Sequence, residues 1–206
     1  QNLILHKFTQ EFSRTKSLNF IRDILVNQLN MKYMVVGFNH HFGRNREGTF
    51  ENLVELSELY NFKIEKIDPK SVDKVNISST KIRSAIIEGN FRLANTYLSS
   101  NFFINGFVVK GNGVGRKIGF PTANIQIDSK WKILPKNGVY AVKAFVNSKQ
   151  FFGMLNLGNR PSIEDDSFVI ETHLFDFNSN IYNEELKIEF IERIRDEMQF
   201  LNLESL

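Results

Sequence analysis

Cysteine is absent from all 206 residues. That excludes a disulfide framework, a Cys-ligated zinc or iron–sulfur centre and a thiol nucleophile, and it suits a reducing, cytoplasmic setting. Proline occurs only four times, which argues against a Pro-rich disordered chain. No apolar run approaches the ~20 residues of a membrane-spanning helix, and the first residues do not read as a signal peptide. Charge of one sign is lacking too. The 26 basic and 23 acidic side chains leave a net charge of +3, with 14 basic against 10 acidic in the first hundred residues and 12 against 13 in the rest. Nucleic-acid binding needs a dense basic patch, so neither nucleic acid nor membrane is expected as a partner. What is present is aromatic bulk. Twenty phenylalanines stand against one tryptophan, with 42% apolar and 24% charged residues overall. This is a soluble globular composition, long enough for two small domains with aromatic-rich cores.

The two parts differ in texture. Over residues 1–100, helical and strand patterns alternate. Ser17 reads as an N-cap before Leu18, Ile21, Ile24, Leu25 and Leu29, and Tyr33–Phe38 as a buried strand. Thr49–Asn61 follows as a helix with Leu53, Leu56 and Tyr60 on one face, then Lys63–Ile67 as a strand closed by Asp68-Pro69. Helices are expected over Ser79–Ile87, with Ser79 as its cap, and over Phe91–Leu98. Such alternation favours a parallel α/β layer. From residue 101, six strands are expected: Phe103–Lys110, Ala123–Ile127, Val139–Val146, Phe151–Leu157, Phe168–Phe177 and Leu186–Ile194. Six short strands in so few residues suggest a closed antiparallel barrel, with a terminal helix starting at Asp196.

The strongest local signal is KGNGVGRKIGFPTAN, Lys110–Asn124. Gly111, Gly113, Gly115 and Gly119 let a backbone approach a ligand closely, so that successive N–H groups face phosphate oxygens. Arg116 and Lys117 add positive charge. The spacing is neither a Walker loop nor a dinucleotide fingerprint. Pro121 stiffens the turn, and Thr122 and Asn124 alternate onto one side as a hydroxyl and an amide oxygen, a hard pair suited to Mg²⁺ carrying nucleotide phosphates. A plain glycine-rich hairpin with a surface threonine fits the same residue types. In FVIETHLFDF, Phe168–Phe177, the residues of one parity are mostly apolar and Glu171 falls on the other face with His173. A carboxylate mid-strand fits a general base, and it equally fits a solvated surface residue.

Together with NLGNRPS at Asn156–Ser162 and the closing IRDEMQFLNLESL, these motifs in this order resemble the riboflavin kinase family over essentially all of residues 101–206. The resemblance implies a six-stranded Greek-key barrel and transfer of the ATP γ-phosphate to the 5′-hydroxyl of riboflavin. It implies Glu171 as the base, and Thr122 and Asn124 at the Mg²⁺–nucleotide site. Gly111, Gly113, Gly115, Arg116, Lys117 and Pro121 fall around the nucleotide, and Arg195, Glu197 and Met198 on the flavin side. No tightly bound prosthetic group is expected, and the ligands are riboflavin, FMN and ATP or ADP. The family's terminal helix runs further than Leu206.

In the first hundred residues, ISSTKIR (Ile77–Arg83) gathers hydroxyls and cations at a helix start, a setting suited to a triphosphate. Taken alone it fits a capped helix with a solvated face equally well. VVGFNHHFGRNREG, Val35–Gly48, follows a strand, where α/β folds often place ligand loops. Ahead of a riboflavin kinase domain, the pair resembles the nucleotidyltransferase-like FAD synthetase module of bifunctional bacterial riboflavin kinase/FAD synthetases, which joins FMN and ATP into FAD. The resemblance implies ATP contacts from Ser78, Ser79, Thr80 and Arg83, and a second motif of Gly37, Asn39, Phe42 and Gly43. Asn39 stands where that family usually has aspartate. No HxGH histidine motif occurs, so the chain is expected to begin several dozen residues into the module and to have lost adenylylation. The expected domains are a partial synthetase over 1–100 and the kinase over 101–206. A catalytically inactive flavin- or nucleotide-binding module is the alternative reading.

Overall fold

The computed structural model describes every residue except 1, 73–74, 112, 128, 130, 160–167 and 199–206, with backbone alone at 114, 117 and 159. Two compact units divide between Asn76 and Ile77.

The first unit holds the short helices α1 (Gln10–Ser13) and α2 (Ser17–Asn19), a π-helical stretch Phe20–Gln28, strand β1 (Tyr33–Gly37), helix α3 (Phe50–Tyr60), strand β2 (Lys63–Ile67) and a small hairpin, β3 (Ser71–Val72) with β4 (Val75–Asn76). β1 and β2 run parallel, as the alternating pattern requires. Ser17 does not cap its helix. It sits inside α2 after Lys16, and its backbone N–H donates to the Glu47 carboxylate at 2.9 Å, so a long-range partner takes the donor a cap would have served. Thr49 caps α3 in a reciprocal capping box with Asn52. The core joins Ile21, Val36, Phe42, Leu53 and Phe62.

The second unit holds helices α4 (Ser79–Ile87) and α5 (Phe91–Leu98), then β5 (Phe103–Val109), a one-turn helix α6 (Val114–Lys117), β6 (Ala123–Ile127), β7 (Gly138–Val146), β8 (Lys149–Asn159), β9 (Phe168–Leu174) and β10 (Glu185–Arg195). The six strands close into an antiparallel barrel in the order β10-β5-β6-β9-β8-β7. β7, β8 and β9 form a meander and β10 returns beside β7, which is a Greek key. Alternate residues point inward, and Tyr140, Val142, Leu155, Leu157, Ile188 and Phe190 are among those fully buried. The α4–α5 pair shares this core. Phe91 stacks on Phe190 with ring centroids 4.6 Å apart, and Asn95 bonds both Phe190 O and Phe102 N. The cap of α4 is Ser78 rather than Ser79, because the Ser78 hydroxyl accepts from Lys81 N. Asp196–Met198 continue beyond β10 without regular structure, and the rest of the expected terminal helix lies outside the described residues.

Candidate functional site

The glycine-rich segment links β5 to β6 and folds back on itself through α6. Gly113 enters that turn at φ +67° and Gly119 leaves it at +84°. Gly111 and Gly115 are marked by close approach instead, Gly115 to backbone and Gly111 to a side chain. A Cβ on Gly111 would overlap the Asn124 amide, and one on Gly115 would overlap the Phe120 carbonyl and press on the Thr122 hydroxyl at 3.3 Å. The loop is therefore moulded onto Thr122 and Asn124. Its far side is fixed by His173, whose Nδ1–H donates to Pro121 O at 2.8 Å. A carbonyl can only accept, so this bond sets the histidine tautomer.

Thr122 and Arg116 rim a cleft of about 450 Å³ that Val108, Thr172, Phe177 and Tyr182 also line. Thr172 points inward and is 1% exposed, and among the described residues its hydroxyl has no hydrogen-bond partner. Glu171 lies on the opposite face of β9, half-buried on the outer wall. The base expected from the sequence thus faces away from the cleft, on the same strand.

Strand register shows what Glu171 does face. Asn124 of β6 pairs with Glu171 of β9, Glu171 with Asn156 of β8, Asn156 with Val139 of β7, and Val139 with Arg195 of β10. Directly paired residues share a face and neighbouring strands lie ~4.8 Å apart, so one transverse row crosses five strands of the outer wall. Glu171 and Arg195 are three strand steps apart, about 14 Å along the wall. Asn156 was not among the candidates drawn from the sequence. Its place opposite Glu171 depends on the register between β8 and β9, which the residue types of either strand alone do not set.

At the Arg195 end, the Glu197 carboxylate lies over Gly158 and accepts from Asn137 Nδ2 at 3.4 Å, while Met198 is exposed. Arg195 Nη1 donates to Asp196 O at 3.0 Å. Arg193 Nη2 donates both to Asp196 and to Asn137 O, the latter at 2.8 Å. That hydrogen bond and the guanidinium charge hold the Asp196 carboxyl below the usual carboxylate range. Arg193 itself is mostly buried, with Tyr140 beside it. The segment after β10 is thus pinned to the Asn137 turn.

Elsewhere in this unit, Ser79, Thr80 and Arg83 are exposed in the first turns of α4 behind the Ser78 cap. In the first unit, Gly37 ends β1 with open space around it and Asn39 is exposed. Phe42 is buried in the core, and Gly43 takes φ +73° against the Ser17 backbone. The Lys117 side chain and Arg160–Ser162 of the NLGNRPS motif lie outside the described residues.

A closed Greek-key barrel, with a glycine loop moulded onto a Thr/Asn pair and a carboxylate beside that pair, has the parts of a phosphate-handling barrel. The family comparisons agree. The riboflavin kinase (flavokinase) model matches residues 98–206 and the FAD synthetase model matches residues 1–81. The chain belongs to the riboflavin kinase family. It is similar to the bifunctional riboflavin kinase/FMN adenylyltransferases of Buchnera aphidicola (40% identity, covering 94% of this chain and 63% of that protein) and of Haemophilus influenzae (38%, covering 99% and 66%). A solved structure described as a macrolide-efflux protein from Streptococcus pneumoniae matches with a TM-score of 0.86 at 30% identity, over 96% of this chain and 63% of that one. The chain spans less than two thirds of the length of these relatives. Among the described residues, no helix is long and apolar enough to cross a membrane.

Proposed function

We propose that the chain performs the phosphorylation step of flavin cofactor synthesis, moving the γ-phosphoryl group of ATP to the 5′-hydroxyl of riboflavin to give FMN and ADP. The observation that carries this reading is the transverse row, which sets Glu171 beside the Thr122–Asn124 corner and about 14 Å from Arg195. A donor phosphate at the corner and a long acceptor laid along the wall meet at Glu171.

In this reading Glu171 accepts the proton of the ribityl 5′-hydroxyl. The hydroxyl oxygen bonds to the γ-phosphorus as the bond to the β,γ-bridging oxygen breaks, and ADP leaves with that electron pair. Phosphoryl transfer needs chiefly in-line positioning and charge neutralisation. Gly111, Gly113, Gly115, Arg116, Lys117 and Pro121 surround the phosphates, and the nucleotide crosses the Thr122 rim of the cleft so that its γ-phosphate lies at the corner beside Glu171. Arg195, Glu197 and Met198 meet the flavin.

The Thr122 hydroxyl and Asn124 carbonyl oxygen suit Mg²⁺. Both are hard donors, and among the described residues no three His, Asp or Glu converge into an all-protein cage. Mg²⁺ bound mostly by substrate phosphates and water needs only one or two protein oxygens. When bound, the ion neutralises phosphate charge. We assign Ser78, Ser79, Thr80 and Arg83 as ATP contacts, and Gly37, Asn39, Phe42 and Gly43 as a second motif, of the FAD synthetase type. The domains in this reading are 1–100 and 101–206, and the setting is cytoplasmic, without membrane or nucleic-acid partners.

Incubation with riboflavin, ATP and Mg²⁺, followed by chromatographic separation of the flavins, tests the proposal. FMN is expected. Riboflavin recovered unchanged overturns the kinase reading in favour of a binding module.

A further inference from the structure

Asn156 stands third in the transverse row, one strand step from Glu171 and two from Arg195. It is half-buried, and among the described residues its amide has no hydrogen-bond partner. An amide carries two donors and a carbonyl acceptor, so a site that a hydroxylated ligand crosses gains directional contacts there. The next residue in the row is apolar: Val139, only 9% exposed. Outward from Glu171, the wall therefore runs carboxylate, amide, aliphatic side chain, guanidinium. A ligand laid along it meets polar groups near the reacting hydroxyl and an apolar surface further out.

We infer that Asn156 hydrogen-bonds the hydroxyls of the acceptor's sugar-alcohol chain, and thereby selects a polyhydroxylated chain over a plain alkyl one. This rests on the kinase reading for the direction in which the acceptor lies. The order of groups along the row matches the order of groups along such an acceptor: reacting hydroxyl, polyol, planar ring. Asn124, on the other flank of Glu171, lies under the glycine loop and belongs to the phosphate side. Asn156 is the amide on the acceptor side.

The test pairs a protein change with a substrate change. Wild type, Asn156→Ala and Asn156→Ser are each assayed with riboflavin and with a flavin carrying a 5-hydroxypentyl chain, which lacks the internal hydroxyls. Loss of a hydrogen bond of this kind raises KM for riboflavin about three- to tenfold in the alanine variant, with KM for ATP unchanged. Asn156→Ser, which supplies a shorter hydroxyl donor and acceptor in place of the amide, falls between. The wild-type preference for riboflavin over the alkyl analogue shrinks by the same factor in Asn156→Ala. An undiminished preference, or a KM for ATP that rises in step, overturns the inference. Titration of riboflavin fluorescence without ATP separates the two readings. Binding that discriminates through Asn156 without any FMN formed sinks the kinase reading alone, and an absence of riboflavin binding sinks both.

Discussion

The carboxylate of Glu197 occupies the space above Gly158 where a side chain at that position would begin. Gly158 and Asn156 share the outer face of β8, so the same strand presents Asn156 to the row and supports Glu197 beyond it. Gly158→Ala is expected to leave the thermal midpoint nearly unchanged, because Glu197 is exposed and swings aside without moving backbone. KM for riboflavin rises about tenfold if the displaced carboxylate meets the flavin. An unchanged flavin KM removes Glu197 from the acceptor site.

Glu171→Gln keeps the shape of the side chain and removes its basicity. Turnover is expected to fall by ~10²–10⁴ with little change in riboflavin binding. Single-turnover rates of FMN formation, with flavin affinity measured in parallel, check this. Near-normal turnover reassigns the base.

Thr122→Ala deletes one of the two oxygens at the phosphate corner. The Mg²⁺ concentration for half-maximal rate and KM for ATP should both rise, while KM for riboflavin stays put. A Mg²⁺ dependence identical to wild type excludes Thr122 from the ion's surroundings.

Asp196 supplies a pH prediction. Arg193 lowers its pKa in the folded protein, so the pair contributes stability above the ordinary carboxylate range and loses it as pH falls through the lowered value. Asp196 is fully exposed, which keeps the effect small. As pH falls below the ordinary carboxylate range, the thermal midpoint of wild type should decline more steeply than that of Asp196→Asn. Parallel curves exclude the contribution.

Much of this fold is legible along the chain because its signals are local. The six barrel strands fall where alternation and turn residues put them, and Thr49 caps α3 with Asn52 three residues on. Local signals also mislead where a distant partner intervenes. Ser17 looks like a cap, yet its N–H is taken by Glu47, thirty residues away. Ser78 and Ser79 are both plausible caps, and only backbone geometry chooses between them. Packing is harder still to read. The helices over 79–98 belong by contact to the barrel unit, because Phe91 and Ala94 complete its core. At the candidate site, Glu171, Thr122 and Asn124 are visible as residue types on strands or beside glycines. Asn156 opens the NLGNRPS motif but is not visible as a site residue, because the register of the β8–β9 pair, which sets it opposite Glu171, is not written in either strand alone.

The transverse row has a further consequence for how such a site tolerates change. The separation between its members is fixed by backbone hydrogen bonds around the girth of the barrel, so it behaves as a ruler with divisions of one strand. Loops can lengthen or shorten without altering it. A slip of a single residue in β9 would rotate Glu171 into the core and turn Thr172 outward, exchanging a charged group for a hydroxyl in one stroke. Substitution can tune this wall residue by residue, whereas insertion or deletion within β9 scrambles it at once.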